Sequence, residues 1–260
     1  MTTAPAVRYE VDRDEHLALI TIDRPEARNA VNGAVAEGIE AAIDAVEADP
    51  QVWVAVLTGA PPAFCAGADL REIRAGNTRC LTTRRGGLAG IVRREHATPI
   101  IAAVEGPALA AGTEIVLACD LVVASTTATF GLVEVKRSNV AAGGGLFRLP
   151  RRIPLVKAME WALTGDTFPA PVAAELGLVN EVCPAGQAVT RARALAARIT
   201  ANAPLAVQLS RTVVLDTAYA PDEVGWERSR AAVRSVAATD DFREGVHAFL
   251  ERRDPRWTGS

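Results

Sequence analysis

The stretch Ile100-Ile101-Ala102-Ala103-Val104-Glu105-Gly106-Pro107-Ala108-Leu109-Ala110-Ala111-Gly112-Thr113-Glu114-Ile115-Val116-Leu117-Ala118 decides how the chain is built. Ile100–Val104 is an apolar run of strand length, and Glu105-Gly106-Pro107 closes it. A loop of small residues follows, and Thr113–Ala118 then reads as a short buried helix. Small residues let a ligand approach the backbone closely. A helix start adds unpaired N–H groups and a dipole that favours negative charge. The same pattern stands upstream, where Ala63-Phe64-Cys65-Ala66-Gly67-Ala68-Asp69-Leu70 follows the apolar run Val52–Leu57. Two N–H donors converging on one oxygen would form an oxyanion hole; a pair of tight turns beside a buried sheet is the other reading.

The flanking sequence supplies the rest of an α/β pattern. Val7, Tyr9 and Val11 alternate with polar residues ahead of Leu17–Ile22, which predicts a hairpin. Val35, Ile39, Ile43 and Val46 share one face of a helix that starts near Asn32 and ends at Asp49-Pro50. Val52–Leu57 is then a buried strand, so strand, helix and strand imply a right-handed crossover and a parallel pair. An arginine-rich stretch, helical in part, runs to about His96; Leu121–Ser125 is another strand, and residues 125–140 are loop-rich. From Ile153 onward the pattern is helical, with breaks at Pro169, Pro184, Pro204 and Pro221. One α/β domain with a helical C-terminal extension accounts for this order.

Bulk properties narrow the function. With 28 basic and 31 acidic residues the chain lacks the basic excess of a nucleic-acid binder. Cys65, Cys80, Cys119 and Cys183 lie far apart, and His16, His96 and His247 form no cluster, so no metal site or disulfide framework is expected. Residues 1–8 show no basic segment leading into an apolar one, and no apolar run approaches a membrane span. A soluble cytoplasmic protein is the expectation.

Two carboxylates stand in apolar surroundings, Glu114 in the predicted helix and Glu134 within Thr129-Phe130-Gly131-Leu132-Val133-Glu134-Val135. Burying a lone carboxylate is costly unless it is paired or keeps its proton. Two such groups near each other could divide into an acid and a base. Salt-bridged structural glutamates, with Arg137 or Arg148 as partners, fit the pattern equally well.

Asp23-Arg24-Pro25-Glu26-Ala27-Arg28-Asn29-Ala30, Leu57-Thr58-Gly59, Phe64–Asp69, Ile100–Ala108, Cys119-Asp120-Leu121 and Leu163-Thr164-Gly165-Asp166 occur in the order and spacing of the crotonase family. The chain resembles that family, also called the enoyl-CoA hydratase/isomerase superfamily, from about Ile22 to Val182 and more loosely beyond. The resemblance implies a crotonase-like spiral of ββα units over residues 1–195. Residues 196–260 would be a helical extension of the same unit that packs in a homotrimer or a dimer of trimers. It implies an acyl-CoA thioester substrate, with coenzyme A entering as part of it and no separate cofactor.

Carried over position by position, the oxyanion donors would be the N–H groups of Ala68 and Ala111, and the catalytic pair Glu114 and Glu134. Arg24, Arg28, Ala66, Gly67, Asp69, Leu70 and Ala142 would line the CoA and substrate site, with Asp69 also capping the next helix. Leu70, Ile73 and Leu88 are candidate contacts for the acyl tail. Hydration of a 2-enoyl-CoA is the implied reaction, with Glu114 as base, near the helix start, and Glu134 as acid. Relatives with other reactions (isomerases, lyases, hydrolases) keep one of the two glutamates or neither; an acyl-CoA-binding subunit without activity is a further alternative. Two departures bear on rate and substrate preference: Ala110-Ala111-Gly112 where relatives often have three glycines, and Ala141-Ala142-Gly143-Gly144-Gly145 where they often have Pro-Gly-Ala-Gly-Gly.

Overall fold

The computed structural model describes residues 5–260; residues 1–4, part of the stretch read above for a leader, lie outside it. In chain order the strands are β1 (Val7–Asp12), β2 (Leu17–Ile22), β3 (Val54–Gly59), β4 (Thr82–Thr83), β5 (Gly87–Leu88), β6 (Ile100–Val104), β7 (Pro107–Leu109), β8 (Leu121–Ser125), β9 (Thr129–Gly131), β10 (Phe168–Pro169) and β11 (Glu181–Cys183). The helices are α1 (Gly33–Ala48), α2 (Leu70–Arg74), α3 (Ala111–Ala118), α4 (Gly145–Arg152), α5 (Leu155–Thr164), α6 (Ala170–Glu175), α7 (Ala188–Thr200), α8 (Pro204–Thr217), α9 (Asp222–Ala237) and α10 (Asp240–Glu251).

The main sheet runs β1-β2-β3-β6-β8-β11, antiparallel only between β1 and β2. A smaller sheet, β10-β9-β7, stands beside it. The chain passes from β6 through Glu105-Gly106 into β7, then through α3 back to β8, which makes one ββα turn of a spiral. Gly106 makes that corner: its φ is 63°, and a Cβ there would lie 2.4 Å from the Pro62 carbonyl oxygen. This ββα turn and the run of C-terminal helices agree with the α/β spiral and helical extension expected from the sequence.

Parallel strands covered on both faces carry apolar residues on both. In β3, Val54 and Val56 face Ala188, Ala192 and Ala196 of α7, while Ala55 and Leu57 face the core that holds α1 and α3. α1 starts where expected, with the Asn32 side chain accepting the Val35 N–H at 3.0 Å, and it buries Val35, Ile39, Ile43 and Val46.

One expectation needs correction. The strand placed at 52–57 is Val54–Gly59, because the Trp53 N–H is taken by the His16 carbonyl and its ring stacks on His16. The arginine-rich stretch is helical in part, as expected, at α2 and in one 3-10 turn, and Gly76, Gly87 and Gly90 with left-handed φ values keep the rest irregular. Its Arg85 and Arg94 are tied back to Asp44 of α1. Trp161 is buried against Phe168 in the core, and Trp226 is exposed on α9.

Candidate active site

The two small-residue loops are joined backbone to backbone. Cys65 donates its N–H to the Pro107 carbonyl at 3.1 Å and accepts the Leu109 N–H at 2.9 Å. On its other side the first loop pairs with the segment before α1: the Val31 N–H donates to Gly67 and the Asp69 N–H to Val31, each at 2.8 Å. These bonds leave the Ala68 N–H without a backbone acceptor among the described residues. The same holds for the Ala111 N–H at the start of α3, where no side chain caps the helix. Gly67, at φ 106°, brings them together: a Cβ there would meet the Ala110 Cβ at 3.0 Å and the Ala111 nitrogen at 3.8 Å. Gly112 is equally constrained, with the Cys65 carbonyl oxygen 2.1 Å from a would-be Cβ.

Ala110 departs from the alanine norm. Its φ of 51° and ψ of −121° belong to a region that glycine occupies freely and alanine does not. The turn is fixed around it: the Ala110 N–H donates to Gly131, and Thr113 donates to Ala108 while accepting the Gly131 N–H. At the opposite end of α3, Arg152 donates to the Cys119 and Asp120 carbonyls.

Glu114 projects from the first turn of α3 and is 2% exposed. Its Oε1 accepts the Gly145 N–H at 3.0 Å, at the start of α4. Burial pushes its pKa up to about 7; the Gly145 N–H opposes this, the neighbouring Glu134 carboxyl adds to it, and the Gly143 N–H and the Arg148 charge oppose it. Glu134 sits half-buried in a 3-10 turn, Val133–Arg137, with Oε2 buried and unpartnered among the described residues. Its pKa is also raised by burial. The fold thus brings together two carboxyls 20 residues apart in sequence, with the Glu134 charge adding to the raised proton affinity of Glu114. Neither is salt-bridged to Arg137 or Arg148. An apolar cavity of about 320 Å³ lies against Glu134, walled by Leu132, Leu149, Leu155, Met159 and Leu163.

The other sequence candidates divide. Arg24 is held inward, donating to the Ala30 carbonyl and to Asp69 Oδ2. Arg28 is exposed, and its carbonyl accepts the Ala66 N–H. Asp69 caps α2 by accepting the Arg71 N–H. Leu70 and Ile73 are exposed beyond the loop, whereas Leu88 packs against Gly143 beside Glu114. Ala142 is exposed, and its N–H is committed to the Val140 carbonyl. Cys65 is fully buried, and burial pushes its thiol up to about 12, so it packs as a neutral group.

Asn29 escaped the sequence reading. Fully buried at φ 57°, it donates to the Ala60 and Ala63 carbonyls and accepts the Arg24 N–H, clamping the first loop from behind. An asparagine at a turn is unremarkable in sequence; only its burial reveals the role.

The family model described as Enoyl-CoA hydratase/isomerase matches residues 12–260. Mevalonyl-coenzyme A hydratase sidH of Aspergillus fumigatus is 38% identical over 94% of this chain and 92% of its own length. Enoyl-CoA hydratase EchA19 of Mycobacterium tuberculosis is 39% identical over 95% of each. A crystal structure of enoyl-CoA hydratase from Mycobacterium tuberculosis H37Rv superposes with a TM-score of 0.93 at 46% identity, covering 99% of this chain and all of that one. Joined loops around an uncapped helix start, and likeness along the full length in sequence and in fold, lead to one assignment: the chain belongs to the enoyl-CoA hydratase/isomerase family, the crotonases.

Proposed function

We propose that the protein adds water across the double bond of a 2-enoyl-CoA thioester to give a 3-hydroxyacyl-CoA. The observation that carries this reading is the meeting of Glu114 and Glu134, two buried carboxyls with raised proton affinity, beside the uncapped start of α3. The thioester oxygen would sit between the N–H groups of Ala68 and Ala111, which are free to donate to it. As water oxygen bonds to C3, electrons move from the C2–C3 double bond toward the thioester oxygen, and these donors and the α3 dipole stabilise the charge.

Glu114 takes the water proton, because the Gly145 N–H already favours its anion. Glu134, whose Oε2 has no partner among the described residues, holds the proton that goes to C2. The proton left on Glu114 then passes to Glu134 and restores the pair. Asp69, Arg24 and Asn29 hold the first loop in shape, while Ala66 and Gly67 form the wall along which the thioester lies. The apolar cavity beside Glu134 suits an apolar acyl tail better than a charged one.

Exposed Trp226, Val233, Phe249 and Leu250 on the C-terminal helices support assembly into trimers, which light scattering would measure. Among the described residues no helix is long and apolar enough to cross a membrane.

An absorbance assay of the conjugated enoyl thioester tests the reaction. Loss of signal with formation of 3-hydroxyacyl-CoA is expected, and Glu114→Gln and Glu134→Gln should each lower the rate by about a hundred- to ten-thousand-fold with CoA binding retained. Wild-type turnover in both variants, or a product other than the hydrate, would overturn the proposal.

A further inference from the structure

Arg148 lies on α4 one turn from the glycine that donates to Glu114. Its backbone N–H donates to the Gly144 carbonyl at 2.9 Å, and its Nη2 donates to the Val92 carbonyl at 2.7 Å. Its Nη1 is buried and has no hydrogen-bond partner among the described residues. That nitrogen lies 2.5 Å from where a Gly144 Cβ would stand, so it is pressed against the Gly143–Gly145 turn from behind. An unpaired buried cation is costly unless something nearby uses its charge.

We propose that Arg148 is a positioning residue for Glu114: its guanidinium, wedged behind the Gly143–Gly145 turn, holds the turn against the carboxylate and keeps that carboxylate ionised. The proposal rests on the hydratase reading for its meaning in catalysis, though not for its test.

The charges around the pair are few. Glu114 is faced by Glu134 from the 3-10 turn and by Arg148 from α4; the first raises its proton affinity and the second lowers it. Arg148 is faced by Arg151 and Arg152 on its own helix, by Glu114, and by the Cys119 thiol. Burial and the two arginines weaken its hold on its proton, so Glu114 is the one carboxylate among these neighbours that favours the cation. Among the described residues Arg148 and Glu114 form no salt bridge at contact distance, and the Glu114 carboxylate is held by the turn N–H groups instead.

The test is a titration of the Glu114 carboxyl by ¹³C NMR in full-length protein labelled at glutamate Cδ, with the signal assigned by Glu114→Gln. Arg148→Gln should move the midpoint up by about one pH unit, and Arg148→Lys, which keeps the charge but loses the Nη2 hydrogen bond to Val92, should leave it near the wild-type value. In the hydration assay the acid limb of the kcat profile should move with the titration, with KM little changed. An unchanged midpoint in Arg148→Gln, or equal shifts in both variants, would overturn the proposal. If the wild type showed no hydration while the titration shifts held, the hydratase reading would fail and the electrostatic role would stand.

Discussion

Arg24 and Asp69 face each other across two loops, Nη2 to Oδ2 at 3.1 Å, with both side chains largely buried. This pair turns an arginine suited to phosphate into part of the scaffold beneath Ala68. Asp69 also caps α2, so one carboxylate fixes the exit of the first loop on two sides.

Asp69→Ala should therefore cost about 2–4 kcal/mol of stability, since it strands a buried guanidinium and removes a cap. Urea denaturation would measure this. The rate should fall with it, because the Ala68 N–H loses its support; full activity in a destabilised variant would separate the loop from the chemistry.

Ala110→Gly should stabilise the protein by about 1 kcal/mol. The gain comes from relieving φ 51°, partly offset by the greater freedom of glycine in the unfolded chain. A rise of about 2–4 °C in thermal midpoint is the expected reading for a chain of this size.

Gly143→Ala should damage activity more than stability. The added methyl would stand 2.7 Å from Glu114 Oε2 and 2.5 Å from Leu88 Cδ2, and Leu88 can turn away more easily than the carboxylate can. A fall in kcat of at least about tenfold, with a thermal midpoint within a few degrees of wild type, is expected.

Glu114 also ties folding to pH. Its pKa is raised from 4.5 to about 7, so the folded protein binds more protons than the unfolded chain between those values. This contribution is full below pH 4.5 and is lost as pH rises to about 7, amounting to roughly 3 kcal/mol. Glu114→Gln should flatten that part of the stability curve in chemical denaturation. Hydration should run the opposite way, rising through the same range as the base ionises.

The sequence showed most where a residue's immediate neighbours determine its place. Ile100–Val104 is a strand because it is apolar throughout, and Asn32 starts a helix because its own side chain closes the first turn. Glu114 and Glu134 stood out for the same reason, as acids among apolar residues. What stayed hidden depends on contacts made across the chain. Arg24 reads as a free cation until Asp69, 45 residues later, is placed against it. Asn29 and Arg148 are ordinary polar residues until burial shows what they hold. Within residues 71–94 the partial helix was legible, but where it stops was not, because Gly76, Gly87 and Gly90 take backbone angles that a helix forbids.

Arg152, finally, bears on what substrate does to the protein. It supplies a cation to the carbonyl end of α3, while the amide end stays uncapped. Beyond Glu114 in its first turn, the amide end of this helix has no side-chain cap among the described residues to answer its dipole. A thioester whose oxygen gains negative charge would complete it, so ligand occupancy and the rigidity of α3 should rise together, and amide exchange at Ile115–Leu117 should slow when an acyl-CoA is bound.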